Sequence, residues 1–218
     1  MIGELFDPKA TFAIRETIKP HWTQAGAIVF ITFRTVDSIP AEVLELWDRQ
    51  RCEWLQRCGV LQPNCTDCKS AVERLTDHQR HVFNEQFNRI RDTKLDECLG
   101  ACVMCAPTLS KIVANSLMHF DHDRYRMGDF VVMPNHVHLL AAFPDEKTMS
   151  KQCTSWMHYT AHEINRTIGE SGHFWQSDPF DHLVRSPEQY DYLRTYIEDN
   201  PKKAKLGTRQ YYYRRCPD

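Results

Sequence analysis

The chain has 218 residues and a mass of 25.6 kDa, a length that can bury one sizeable core. With 42% hydrophobic and 26% charged residues its composition is that of a globular protein, which excludes wholesale disorder and collagen-like repeats. A net charge of −2, from 27 basic and 29 acidic residues, argues against coating nucleic acid by bulk charge but leaves room for a local basic groove. No window approaches the roughly 18 apolar residues of a membrane span. The N-terminal MIGELFDPKATFAIRE carries acidic residues and no apolar core, so a cytoplasmic rather than a secreted address is expected.

In chain order, the first strong strand signal is GAIVFITFRT, 26–35, rich in β-branched and aromatic residues. Pro40 opens a helix from Ala41 to about Cys58, with Val43, Leu44, Leu46, Trp47 and Leu55 as its apolar stripe. After a loop at Pro63–Asn64 a second helical stretch is expected over 70–91, where no Pro or Gly intervenes. An amphipathic helix follows Pro107 and runs to about Phe120, placing Leu109, Ile112, Val113 and Leu117 together. The run RYRMGDFVVM, 124–133, reads as a strand, Pro134–Asn135 as a turn, and HVHLLAAF, 136–143, as the returning strand. A long helix over 148–168, a short strand within 174–185, and a helix from Ser186 to Asn200 complete the pattern. Ser186 serves there as N-cap, and Pro201 is expected to stop the helix. Helices alternating with antiparallel strands point to an α+β domain. The chain is expected to be a single domain over 1–218 with a helical insertion at about 40–95.

The nine cysteines are expected to be reduced in a chain without a secretory signal. Cys65, Cys68, Cys102 and Cys105 form two CxxC pairs whose thiolates would suffice for a tetrahedral structural zinc. Against zinc stand the apolar setting of Cys102–Cys105 and the missing Gly-rich knuckles, so this reading is not the favoured one.

The chemistry concentrates near the end. Side chains alternate on a strand, so His136 and His138 share a face directly after a turn and form a metal platform. Taken alone, such a pair is more often two uncommitted histidines. Tyr196 and Asn200 are four apart and share a helix face, bringing a hydroxyl and a hard carbonyl oxygen together. Two imidazoles and an amide with open positions suit Mg²⁺ or Mn²⁺ holding a phosphate, which the tyrosine could attack. The basic tail Lys202, Lys203, Lys205, Arg209, Arg214 and Arg215, interleaved with Tyr211–Tyr213, is equally compatible with a frayed terminus and with single-strand binding.

The blocks VVMPNHVHLL (131–140) and YDYLRTYIEDNPKKAKL (190–206) resemble the HUH single-strand transposases, most closely the REP-associated tyrosine transposases. FITFRT (30–35), LDECLGACVMCAP (95–107) and HFWQSDPFDHLVR (173–185) extend the resemblance over most of the chain. It implies a ferredoxin-like antiparallel sheet with flanking helices, the HUH nuclease fold. It also implies cleavage and rejoining of single-stranded, hairpin-associated DNA through a 5′-phosphotyrosine, with Tyr196 as nucleophile and His136, His138 and Asn200 as ligands of Mg²⁺ or Mn²⁺. Tyr190 and Tyr192 are rival nucleophiles, and no general base stands out. His182, Arg185, Lys202 and Lys203 are expected DNA contacts, and Arg126 and Lys151 are further candidates. His158 and His162, four apart on the long helix, read as solvated residues rather than a metal pair. The expected partners are hairpin or single-stranded DNA and, as an open alternative, a second copy of the chain; the expected location is the nucleoid. The rival reading is a domesticated sequence-specific DNA-binding protein that no longer cuts.

Overall fold

The computed structural model describes residues 1–16, 20–65, 67–177 and 179–217. The chain divides into two compact units, Met1–Ser38 with Ala101–Asp218, and Ile39–Gly100.

In the first unit, β1 (Ala13–Glu16) and β2 (Pro20–Thr23) pair antiparallel. β3 (Ile28–Arg34) is the strand expected near 26–35. In the second unit, α1 (Ala41–Arg57), α2 (Cys68–Glu73) and α3 (Asp77–Asp96) close around Leu55, Leu61, Ala71, Leu75, Phe83 and Phe87. The helix expected over 70–91 is therefore two helices. Thr76 makes the break without Pro or Gly by forming a capping box with Gln79: Gln79 N–H donates to Thr76 Oγ1, and Thr76 N–H donates to Gln79 Oε1.

The first unit resumes with a 3₁₀ turn at Val103–Cys105, then α4 (Pro107–Met118), β4 (Arg126–Val132) and β5 (His136–Ala142). It continues through α5 (Glu146–Ile168), β6 (Phe180–Leu183), α6 (Pro187–Lys203) and β7 (Tyr212–Arg214). The five-stranded sheet has the order β6-β3-β5-β4-β7, and every pairing is antiparallel. Taken as β3-α4-β4-β5-α5-β6 with strand order fourth-first-third-second, this is the expected ferredoxin-like arrangement.

Alternation divides the sheet chemically. Val29, Ile31 and Phe33 of β3, with Val137, Leu139 and Ala141 of β5, enter the core beneath α4 and α5 with Leu109, Val113, Leu117, Met149 and Trp156. The opposite face carries Phe30, Thr32, His136 and His138, and α6 lies there. The β4 register shifts between Met127 and Phe130, so both of these enter the core while Asp129 is free to meet α6.

One expectation fails at the C-terminal end. α6 continues through Pro201 to Lys203. The proline lacks one N–H donor only in the last turn, and helical bonding closes after it as Ala204 N–H donates to the Asn200 carbonyl. The tail does not fray at β7, which pairs with the β4 edge at Phe130–Val132. Among the described residues no helix is long and apolar enough to cross a membrane.

Candidate active site

The β4–β5 turn builds the first half of the site. Met133 N–H donates to the His136 carbonyl across Pro134–Asn135, and Thr35 N–H donates to the Asn135 carbonyl, so the turn is tied to both β5 and the end of β3. Asn135 is fully buried and sets its Oδ1 2.8 Å from His136 Nδ1. One strand over, Thr32 pairs in register with His138 and sets its Oγ1 2.7 Å from His138 Nδ1. Both imidazoles thus have Nδ1 engaged by an oxygen. A neutral ring that donates from Nδ1 presents a lone pair at Nε2. Full burial pushes the His136 imidazole down to about 3, outweighing the upward pull of Asn200, so the ring is neutral at pH 7.

α6 supplies the second half. Its start is capped by Ser186, whose side chain accepts from Gln189 N–H, and Pro187 occupies the first helical position. Tyr190, Leu193, Ile197 and Asn200 form its buried stripe. Asn200 reaches the strand histidines, with Oδ1 3.3 Å from His136 Nε2. Tyr196 is half-buried with its hydroxyl oxygen out of solvent, and its ring lies 5.2 Å from the His138 ring and 6.1 Å from Phe30. The two histidine rings are 4.7 Å apart. His136, His138, Tyr196 and Asn200 therefore meet on one face.

The donor set suits a divalent cation. A neutral imidazole nitrogen and an amide oxygen face each other at 3.3 Å, and a second imidazole is adjacent. With Nδ1 of His136 donating to Asn135, that approach brings two lone pairs together, an arrangement a cation between them would relieve.

The other tyrosines of α6 separate cleanly. Tyr190 is buried, which raises its phenol above the ordinary value of 10, and Arg194 lies over its ring. Tyr192 is 65% exposed, one turn from Tyr196. Among the expected DNA contacts, Lys203 sets its ammonium 4.5 Å from the centre of the Tyr196 ring, and His182 packs against Phe30 at 5.3 Å. The remaining two sit apart: Lys202 is bound to Asp199 on the outer side of α6, and the Arg185 guanidinium lies over Phe6. Arg126 pairs with Ala142 at the far end of β5 from His136, and Lys151 lines a shallow pocket with Arg124 and Gln152. His162 is held by Glu163, and His158 is exposed.

Cys65 and Cys68 belong to the helical unit, and Cys102 and Cys105 to the sheet unit. Among the described residues none of the cysteines is in a disulfide, and no three His, Cys, Asp or Glu side chains gather as a metal cluster.

Three supporting residues escaped sequence reasoning. Asn135 has an adjacent signal, being the turn residue before His136. Thr32 needs the β3–β5 register to be recognised. The third, Asp129, is buried at 2% exposure, and it accepts from Arg194 Nε on α6 (3.1 Å) and from Cys216 N–H beyond β7 (2.8 Å). These bonds tie the helix of Tyr196 and the C-terminal tail to one carboxylate.

Residues 105–200 match the family described as "Transposase IS200 like". Over that segment, somewhat under half of the chain, the sequence is similar to the IS200-like transposases. The matched span contains His136, His138, Tyr196 and Asn200. A solved structure of a REP-associated tyrosine transposase bound to a REP hairpin is similar over 83% of this chain and 69% of its own, at 14% identity and a TM-score of 0.40. No curated protein matches the chain.

Proposed function

We propose that the protein cleaves and rejoins single-stranded DNA beside a REP-like hairpin, using Tyr196 as the nucleophile. The observation that carries this reading is the convergence of a tyrosine side chain with two imidazoles and an amide oxygen on one sheet face. Pure DNA binding requires none of those four groups.

His136, His138 and Asn200 would hold Mg²⁺ or Mn²⁺, which would supply Lewis-acid polarisation of a non-bridging phosphate oxygen. The buried rings are oriented by Asn135 and Thr32 through Nδ1, so their Nε2 atoms need no rearrangement to act as ligands. Tyr196 is carried on the same helix one turn before Asn200, with its ring 5.2 Å from that of His138. In the chemical step the phenolic oxygen bonds to phosphorus and gives up its proton. The bond from phosphorus to the 3′-oxygen breaks, and the departing oxygen takes up a proton. One phosphodiester replaces another, so rejoining by the reverse attack needs no external energy source. Lys203, close to the Tyr196 ring, adds positive charge where the anionic backbone would lie.

The test is incubation with a labelled single-stranded hairpin oligonucleotide and Mn²⁺, followed by a denaturing gel. The expected result is a covalent adduct that disappears with EDTA and in Tyr196→Phe. An adduct that persists in Tyr196→Phe, or one retained in a His136→Ala/His138→Ala protein, overturns the assignment.

A further inference from the structure

The rings around Tyr196 form one continuous row. From α6 across β5 and β3 to β6, Tyr192 meets Tyr196 at 6.3 Å and Tyr196 meets His138 at 5.2 Å. His138 then meets Phe30 at 5.4 Å, Phe30 meets His182 at 5.3 Å, and His182 meets Phe180 at 5.7 Å. The middle of the row is buried: His138 is 1% and Phe30 5% exposed. Its two ends open to solvent. Tyr192 is 65% exposed and lies within 28° of parallel to Tyr196, and His182 and Phe180 are half-buried on the edge strand.

Register explains the arrangement. His182 pairs with Phe30 and Phe180 with Thr32, so β6 puts both of its rings on the face that carries the strand histidines. On α6 the four-residue step from Tyr192 to Tyr196 stacks the two phenols on one side of the helix. Tyr190, the other tyrosine of the same helix, is turned into the core and is 5% exposed. Rings that reach solvent thus stand on both sides of the candidate nucleophile, exposed at Tyr192 and half-buried on β6, with an ammonium nearby.

A scissile phosphate placed at Tyr196 has a nucleotide on either side, and each base has a π-face that stacks on an aromatic ring whatever its sequence. Resting on the proposed function, we infer that the two ends of this row are nucleobase platforms flanking the cleaved phosphate, Tyr192 on one side and His182 with Phe180 on the other. The platforms hold bases unstacked and leave the backbone between them extended over Tyr196. They act by positioning, and they contribute without regard to base identity.

The inference is tested by equilibrium binding in a Tyr196→Phe background, which cannot form the adduct. Two fluorescent probes are compared, a twelve-nucleotide oligothymidylate and a twelve-unit abasic strand with the same backbone. The parent is expected to prefer the strand with bases. Tyr192→Ala is expected to reduce that preference about tenfold, within the range for one stacked base, while affinity for the abasic strand stays constant. Tyr192→Trp is expected to restore the preference, and Phe180→Ala to reduce it separately. Equal binding of both strands by the parent overturns the platforms and leaves the nuclease reading standing. Failure of both strands to bind overturns the platforms, and the adduct assay with the hairpin oligonucleotide decides the nuclease reading separately. A Tyr192→Ala protein that loses the two strands equally shows a structural role and overturns the platform on α6.

Discussion

Replacing Thr32 with valine tests whether a neighbouring hydroxyl fixes which nitrogen of His138 faces the site. Thr32 Oγ1 lies 2.7 Å from His138 Nδ1, and the two residues are 4% and 1% exposed, so bulk water cannot take the place of a lost partner. Valine keeps the shape of threonine and removes the acceptor. A buried N–H left without its partner costs about 1–3 kcal/mol. The ring recovers part of that cost by carrying its proton on Nε2 instead, which puts an N–H where a metal ligand needs a lone pair. At 1.4 kcal/mol per factor of ten, the site is expected to bind Mn²⁺ about 10- to 100-fold more weakly. The assay is a Mn²⁺ titration that follows the free-ion paramagnetic signal, with thermal unfolding measured on the same samples. Thr32→Ser, which keeps the hydroxyl, is expected to stay near the parent affinity. A valine variant that binds Mn²⁺ as tightly as the parent would refute the reasoning.

Arg194→Leu removes the cation that meets the Asp129 carboxylate at 3.1 Å; the two side chains are 16% and 2% exposed. A buried charge stripped of its partner is expected to cost about 3 kcal/mol in urea unfolding, and Asp129→Asn in the same chain is expected to recover part of it. Gly3→Ala places a Cβ 2.5 Å from the Gly26 carbonyl oxygen and 2.7 Å from the Ala142 Cβ, so backbone has to move. A loss of about 1–3 kcal/mol and faster amide exchange at Glu4 and Ile28, whose N–H groups bond across this contact, are expected. The Asp145 carboxylate caps α5, and hydrogen bonds from Thr148 hold it below its ordinary value of 3.8. A depressed folded value means the cap contributes above pH 4 and is lost as pH falls through that lower value. Asp145→Asn is expected to abolish this acid-side dependence of helix content in circular dichroism, because an amide caps without titrating.

The sequence revealed most where period and turn chemistry agree. β5 was legible because a proline–asparagine turn precedes an apolar strand, and α6 because Ser186–Pro187 announces a helix start. The tyrosine and asparagine of α6 could be placed on one face from spacing alone. What remained hidden depends on long-range pairing. Thr32 looks like any strand threonine until β3 is set against β5 in a register that opposes it to His138. Asp129 reads as a polar interruption of RYRMGDFVVM, and only the irregular step between Met127 and Phe130 turns it toward α6. β7 carries charged and aromatic residues with no clear alternation, and it becomes a strand because the β4 edge supplies its hydrogen-bond partners.

The same distinction explains how the candidate site is divided between local and global structure. The reactive groups, His136, His138, Tyr196 and Asn200, come as two short spacings, each written within a single element. Their alignment is not local. A two-residue separation on β5 presents both imidazoles to one side whatever the rest of the chain does, but their ring nitrogens are assigned by Asn135 in the turn and Thr32 on the neighbouring strand. A four-residue separation on α6 groups the phenol with the amide, but the helix is fixed against the sheet by Arg194 reaching Asp129, and Arg194 also donates to the carbonyl of Cys216. The chemistry is therefore compact in sequence, while part of its geometry is held at long range, by Thr32 at His138 across 106 positions and by Asp129 at Arg194 across 65. Substitutions at Thr32 and Asp129 should accordingly impair the site with every reactive side chain intact, and that separation between possessing the groups and aligning them is what the Thr32→Val and Arg194→Leu measurements resolve.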